Sequence, residues 1–184
     1  MAPNPLGWNA SAVQISGLLK ELKKRGLDKV VAQCSAEAQA VFGNPFSARW
    51  HPGHVLIEVG ERVIAEVGGE GFADVMYQMA RNSFGPILRP MLQVAMAMTG
   101  RTPAALLARV PTSIQQAVQN VTATWTPATP NTGTLVFQYP CPIPTPTEFA
   151  WRGSLRFLSE LAGTPIRVEQ VDKPGHQLVL HVAW

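Results

Sequence analysis

His51-Pro52-Gly53-His54 carries the only closely spaced histidine pair in the 184-residue chain. Two imidazoles three positions apart can supply two metal ligands. A zinc site needs a third or fourth, and no cysteine or carboxylate cluster lies beside them. The intervening Pro-Gly reads instead as the start of a helix, and no metal site is expected. Cys141, between Pro140 and Pro142, has the makings of a nucleophile or redox thiol only if a base or a positive field lowers its pKa. Its surroundings in sequence offer no such field: Val110 to Thr147 is 38 residues without Asp, Glu, Lys or Arg. Only His176 or His181 remain to approach it in space, and a structural thiol is the expectation. Gly-x-Ser-x-Gly, Gly-x-x-x-x-Gly-Lys and His-Glu-x-x-His are all missing. Gly68-Gly69-Glu70-Gly71 joins two helices with no strand before it, so phosphate binding is not expected there. No catalytic residue is nominated, and the chain is read as a non-enzyme without a cofactor.

Lys20, Lys23, Lys24, Arg25 and Lys29 form the one basic cluster. Nucleic-acid surfaces combine such a patch with stacking aromatics or a groove-reading helix, and neither is present. A solvated face at the negative end of a helix dipole accounts for it, and no specific nucleic-acid partner is expected. Net charge is +3, apolar residues make up 46% and charged ones 15%, which excludes a disordered tail and a coiled coil. No apolar run approaches the ~20 residues of a membrane-spanning helix. The N-terminal stretch lacks the basic start and apolar core of a secretion signal. Two cysteines are too few for a disulfide framework, so reduced thiols and a cytoplasmic location are expected.

The elements that position these groups divide near residue 120. Ile15, Leu18, Leu19 and Leu22 predict a helix over 11–25, stopped by Gly26. A second is predicted over 27–41, ending in Gly43-Asn44-Pro45. Val55, Leu56, Val59, Val63, Ile64 and Val67 stripe a helix over 52–67, and Phe72, Val75, Met76, Met79, Ala80 and Phe84 one over 71–84. Pro90 opens a segment, Met91 to Met98, that is apolar nearly all round. Such a helix is central or covered by a partner. Thr102-Pro103 caps a short helix over 103–109, and another is predicted over 113–119. The period then changes to two. Val121, Ala123 and Trp125 alternate with threonines, and Leu135, Phe137 and Tyr139 alternate likewise after a turn-rich link over 127–133. A helix over 147–162 and strands over 166–171 and 177–184 follow. The fold class is α+β in one domain: an N-terminal helical block packed on a four-stranded antiparallel sheet, β-β-α-β-β at the C-terminus.

Several segments carry a family resemblance. Gly17-Leu18-Leu19 with Gly26-Leu27-Asp28, the stretch from Gly71-Phe72 to Phe84-Gly85, Leu106 to Pro111 and Asn120 all take part. So do Phe149, Gly153, Leu155 with Ala162-Gly163, and the terminal Val182-Ala183-Trp184. Together they resemble a family expanded in myxobacteria that carries a domain-of-unknown-function label. The order of elements also resembles a wider group of ligand-binding domains: haem nitric-oxide sensors, vinyl-reductase-type domains and TRAPP-type vesicle-tethering subunits. That likeness implies helices folded over a twisted sheet around an apolar cavity, and is a fold-level analogy. In the sensors a helical histidine binds the haem iron. The predicted helix over 90–99 has none, so a haem sensor is not expected.

The spare apolar face of Met91–Met98 points to a small hydrophobic ligand or to another chain, as a homodimer or with a protein partner. Methionines line adaptable pockets as well as cores. A pocket is expected to be lined by Val75, Met76, Met79, Met91, Val94, Met98, Trp125 and Phe137. The leading expectation is a sensory ligand-binding module. The alternative is a scaffold subunit using the helix face, and the charge-free 110–147 surface also suits an interface core.

Overall fold

The computed structural model describes residues 4–84 and 102–184, without the side chains of Ser83 and Phe84. The first helix, α1 (Ala12–Lys24), begins where the Ser11 hydroxyl accepts a hydrogen bond from the Gln14 amide at 3.2 Å. It buries Ile15, Leu18 and Leu22 and ends on Lys23 and Lys24, as the pattern predicts. Its basic end is partly paired, Lys24 with Glu21 at 2.7 Å and Arg25 with Asp74 at 2.6 Å.

The single helix expected over 27–41 is two pieces. A 3-10 turn, Asp28–Gln33, is followed by extended Cys34 and Ser35, and then by α2 (Ala36–Gly43). Ser35 caps α2 by accepting from the Ala38 amide at 3.3 Å, while its own hydroxyl donates to Glu58 at 2.6 Å. A carboxylate from a distant helix thus holds the break open, which local pattern cannot show.

That distant helix, α3 (Gly53–Met79), consists of two arms separated at Gly68, where φ is 75°. A left-handed backbone there suits glycine and turns the chain where the glycine pair predicts an end. The first arm buries Val55, Val59 and Val63, and the second buries Phe72, Val75, Met76 and Met79. The α-helical part stops at Met79, and a π turn covers Ala80–Phe84. The segment Met91–Met98 lies outside the described residues.

Beyond it, Thr102 caps α4 (Pro103–Leu107) by accepting from the Ala105 amide at 3.2 Å. The helix expected over 113–119 is corrected to α5 (Val110–Ser113), a 3-10 turn at Ile114–Gln116 and a short strand. That strand belongs to a sheet the sequence does not announce. In it β1 (Asn9–Ser11) lies between β2 (Trp50–Pro52) and β3 (Val118–Gln119), all antiparallel. Strands of two or three residues are too short to display a period.

The larger sheet contains β4 (Thr122–Thr129), β5 (Thr132–Gln138), β6 (Arg167–Asp172) and β7 (Gln177–Ala183), in the order β4-β5-β7-β6 and antiparallel throughout. The expected β-β-α-β-β arrangement is present, with α6 (Thr145–Ala162) as its helix. The link over 127–133 is mostly strand: β4 runs to Thr129 and the turn is Pro130-Asn131. Pro127 is tolerated because β4 is an edge strand. Leu135 faces Leu180 and Phe137 faces Leu178 across the ladder, all fully buried. Trp151 of α6 stacks on Phe137 with ring centroids 3.9 Å apart, tying helix to sheet.

Candidate functional site

α3 and α6 approach closely at Gly153. A Cβ there would stand 2.9 Å from Met76 Cβ and 2.8 Å from the Tyr77 amide nitrogen, and closer still to the Ala73 carbonyl. Beside this contact the two helices border a cavity of about 160 Å³. Leu56 and Ile57 from the first arm of α3, with Phe72, Met76 and Met79 from the second, form one wall. Thr147, Ala150, Trp151, Ser154 and Leu158 form the opposite wall. Their spacing is a single face of α6. Leu106, Val110, Ile114 and Val118 close it from the segment before the sheet, where Arg109 and Gln116 are exposed and mark its solvent side.

An aromatic group forms the remaining wall. Trp8, which precedes β1, meets Tyr139 edge to face at 5.8 Å. Tyr139 in turn accepts a hydrogen bond from Trp151 Nε1 at 3.0 Å. Trp8 can lie there because its indole occupies the space that a Cβ on residue 53 would need, so Gly53 is required at the start of α3. Burial pushes the Tyr139 hydroxyl far above its ordinary pKa, against a partial opposing effect of the Trp151 hydrogen bond. It is therefore a neutral phenol at any physiological pH.

Of the residues expected to line a pocket, Met76 and Met79 are in this wall. Val75 is fully buried, and Phe137 lies under Trp151. Neither is among the cavity-lining residues described, nor is Trp125, which pairs with Trp184 at 6.0 Å on the edge of the sheet. Met91, Val94 and Met98 lie outside the described residues. Trp8, Tyr139 and the lining face of α6 are the part that the sequence reading missed. The repeat of Thr147, Ala150, Trp151, Ser154 and Leu158 was the available signal.

The residues of greatest chemical reach lie elsewhere. His51 Nε2 is 2.6 Å from the Pro45 carbonyl, and His54 Nε2 is 3.1 Å from Glu37. His181 lies between Asp172 and Thr134, at 3.1 and 3.3 Å, on the large sheet. Among the described residues no three His, Cys, Asp or Glu side chains gather into a metal-binding group. Burial pushes the Cys141 thiol up, the Trp8 indole only partly offsetting it, and it also raises Cys34, which Glu58 raises further. Both thiols are buried and protonated, which is the reverse of nucleophile activation. No described helix is long and apolar enough to cross a membrane.

No protein-family model and no curated protein matches the sequence. Solved structures do match. The Fe(II) unliganded H-NOX protein from K. algicida superposes with a TM-score of 0.65 at 13% identity, over 94% of this chain and 95% of that one. A structure concerned with H-NOX activation gives 0.58 at 13% identity, over 95% of each chain. One concerned with haem redox potential and porphyrin distortion gives 0.59 at 12% identity, over 95% of this chain and 99% of that one. At such low identity the likeness is one of architecture alone, and the architecture of this chain is the H-NOX-like α+β fold.

Proposed function

We propose that this protein is a non-enzymatic ligand-binding module that holds a small apolar molecule between α3 and α6. The observation that carries the reading is the cavity itself: about 160 Å³, bounded mainly by aliphatic and aromatic side chains. A cavity of roughly 150 Å³ with such walls accommodates benzene. Binding works through burial, each Å² of apolar surface removed from water contributing about 25 cal/mol.

Haem, named for one of the similar structures, does not suit this site. Haem iron takes an axial His, Cys, Met or Tyr. None of the four histidines lies in the described wall, and the sequence of 85–101 contains neither His nor Cys. Cys34 and Cys141 are protonated thiols outside the wall. Tyr139 is held as a neutral phenol by burial. In the described wall only the thioethers of Met76 and Met79 remain, beside a space of benzene scale, and 85–101 adds only the thioethers of Met91, Met96 and Met98.

A guest touches both arms of α3, on either side of the Gly68 break. It therefore biases the angle between them by as much as its affinity differs between the two arrangements. This is the sensory step of the proposal. A homodimer or protein partner belongs to the same reading on the strength of the apolar sequence over 91–98. Native mass spectrometry of the protein purified from cells tests occupancy and stoichiometry together, and haemin titration followed by absorbance tests the exclusion of haem. The expected results are a small bound mass or a rise in melting temperature with toluene, and no ligated haem spectrum. Stoichiometric haem with an axially ligated spectrum, or no response to any small apolar compound, overturns it.

A further inference from the structure

Within the cavity wall three polar atoms have no hydrogen-bond partner although they are shielded from water: Trp8 Nε1, Gln14 Oε1 and Thr147 Oγ1. The residues Trp8 and Thr147 are 3% and 5% exposed, so bulk solvent does not compensate them. The Cys141 sulfur feels the Trp8 indole, but it is a weak acceptor and lies outside hydrogen-bond geometry. Buried polar groups are ordinarily paired, and three orphans around one apolar space are a departure that requires an explanation.

We infer that the guest is a small neutral molecule with an apolar body and one hydroxyl group, of the phenol or short branched alcohol class. The inference rests on the proposed ligand-binding reading and deepens it. An indole N–H only donates and an amide oxygen only accepts, while a hydroxyl does both. One O–H group can therefore accept from Trp8 and donate to Gln14, with Thr147 able to serve in either sense. The described lining contains no Asp, Glu, Lys or His, and its one charged residue, Arg109, is on the solvent side. A charged head group in the interior would be buried without a counter-ion, which is costly.

Phenol and toluene have the same shape and differ by hydroxyl against methyl, so they isolate this contribution. Calorimetric titration of the full chain is expected to show phenol binding about two- to tenfold tighter than toluene, the ratio corresponding to one buried hydrogen bond gained. In a ¹⁵N-labelled sample one of the five tryptophan indole N–H signals, assigned through Trp8→Phe, moves with phenol and not with toluene. Thr147→Val and Gln14→Met remove polar atoms while keeping similar volume, and at least one of them is expected to lower phenol affinity severalfold with toluene unchanged. Toluene binding as well as phenol overturns the hydroxyl inference and leaves the cavity reading intact. Benzoate binding more tightly than phenol overturns it in favour of an anionic guest at Arg109. Failure of phenol and toluene alike removes this inference together with the ligand-binding reading beneath it.

Discussion

Replacing Gly153 by alanine tests the geometry on which the cavity depends. The new methyl would sit 2.9 Å from Met76 Cβ and 2.8 Å from the Tyr77 nitrogen, with the Ala73 carbonyl nearer still. Comfortable carbon contacts are about 3.5–4.0 Å. Two of the three obstructing atoms are backbone of α3, which cannot rotate aside as a side chain can. Overpacking of this kind costs about 1–3 kcal/mol, and the rigid obstruction places it in the upper part of that range. Alanine is intrinsically better in a helix by about 1 kcal/mol, which offsets part of the loss. The net destabilisation is therefore about 1–2 kcal/mol, or about 2–8 °C in melting temperature for a chain of this size. Urea unfolding followed by circular dichroism measures it. Gly43→Ala is the control, since nothing lies within 4 Å of a Cβ at the end of α2 and the propensity gain should appear unopposed. If Gly153→Ala is as stable as wild type, or gains as much as the control, α3 and α6 do not approach as described and the cavity walls are wrongly placed.

Other outcomes follow from the buried titratable groups. Burial alone would raise the Glu148 carboxyl, but Lys173 at 2.8 Å and Arg152 at 2.9 Å outweigh it and hold the group below its ordinary pKa. Stability from this site is present above about pH 4.3, the unfolded value, and is lost as pH falls through the folded one. Glu148→Gln should cost about 1 kcal/mol at pH 7 and nothing in strong acid, as read by urea titrations at several pH values; a pH-independent difference would contradict the ion-pair account. Tyr139 should not ionise until the protein unfolds in alkali. Stability should fall above about pH 10, where the unfolded chain releases that proton and the folded chain keeps it. A full complement of two tyrosines titrating by absorbance near pH 10 in the folded state refutes this. Cys34 and Cys141 should react with iodoacetamide far more slowly than a free thiol at pH 8 and reach the ordinary rate in denaturant; rapid labelling of the native protein would restore a thiol chemistry to Cys141.

Amphipathic period and local punctuation were enough to place most elements. Ile15, Leu18 and Leu22 on one stripe, Thr102 as a cap, the Gly68 break and the alternation of Leu135 with Phe137 are all short-range signals, legible because a helix or strand must bury one face. From the same evidence the α+β class and the antiparallel β-β-α-β-β order followed. Met76 and Met79 were also legible as large, flexible residues on the buried side of a striped helix.

Tertiary structure decided the rest, because it depends on groups far apart in the chain. Glu58 reaches Ser35 and splits what local pattern reads as one helix. The three short strands are stable only as neighbours of one another, and none is long enough to show a period alone. Trp8 and Tyr139, 131 positions apart, meet over the cavity only when the N-terminal segment lies across the start of α3, where Gly53 makes room. Whether a buried indole or hydroxyl is paired is likewise a property of the assembled walls. Trp8 and Thr147 look ordinary in sequence, and only the folded chain leaves their polar atoms without partners.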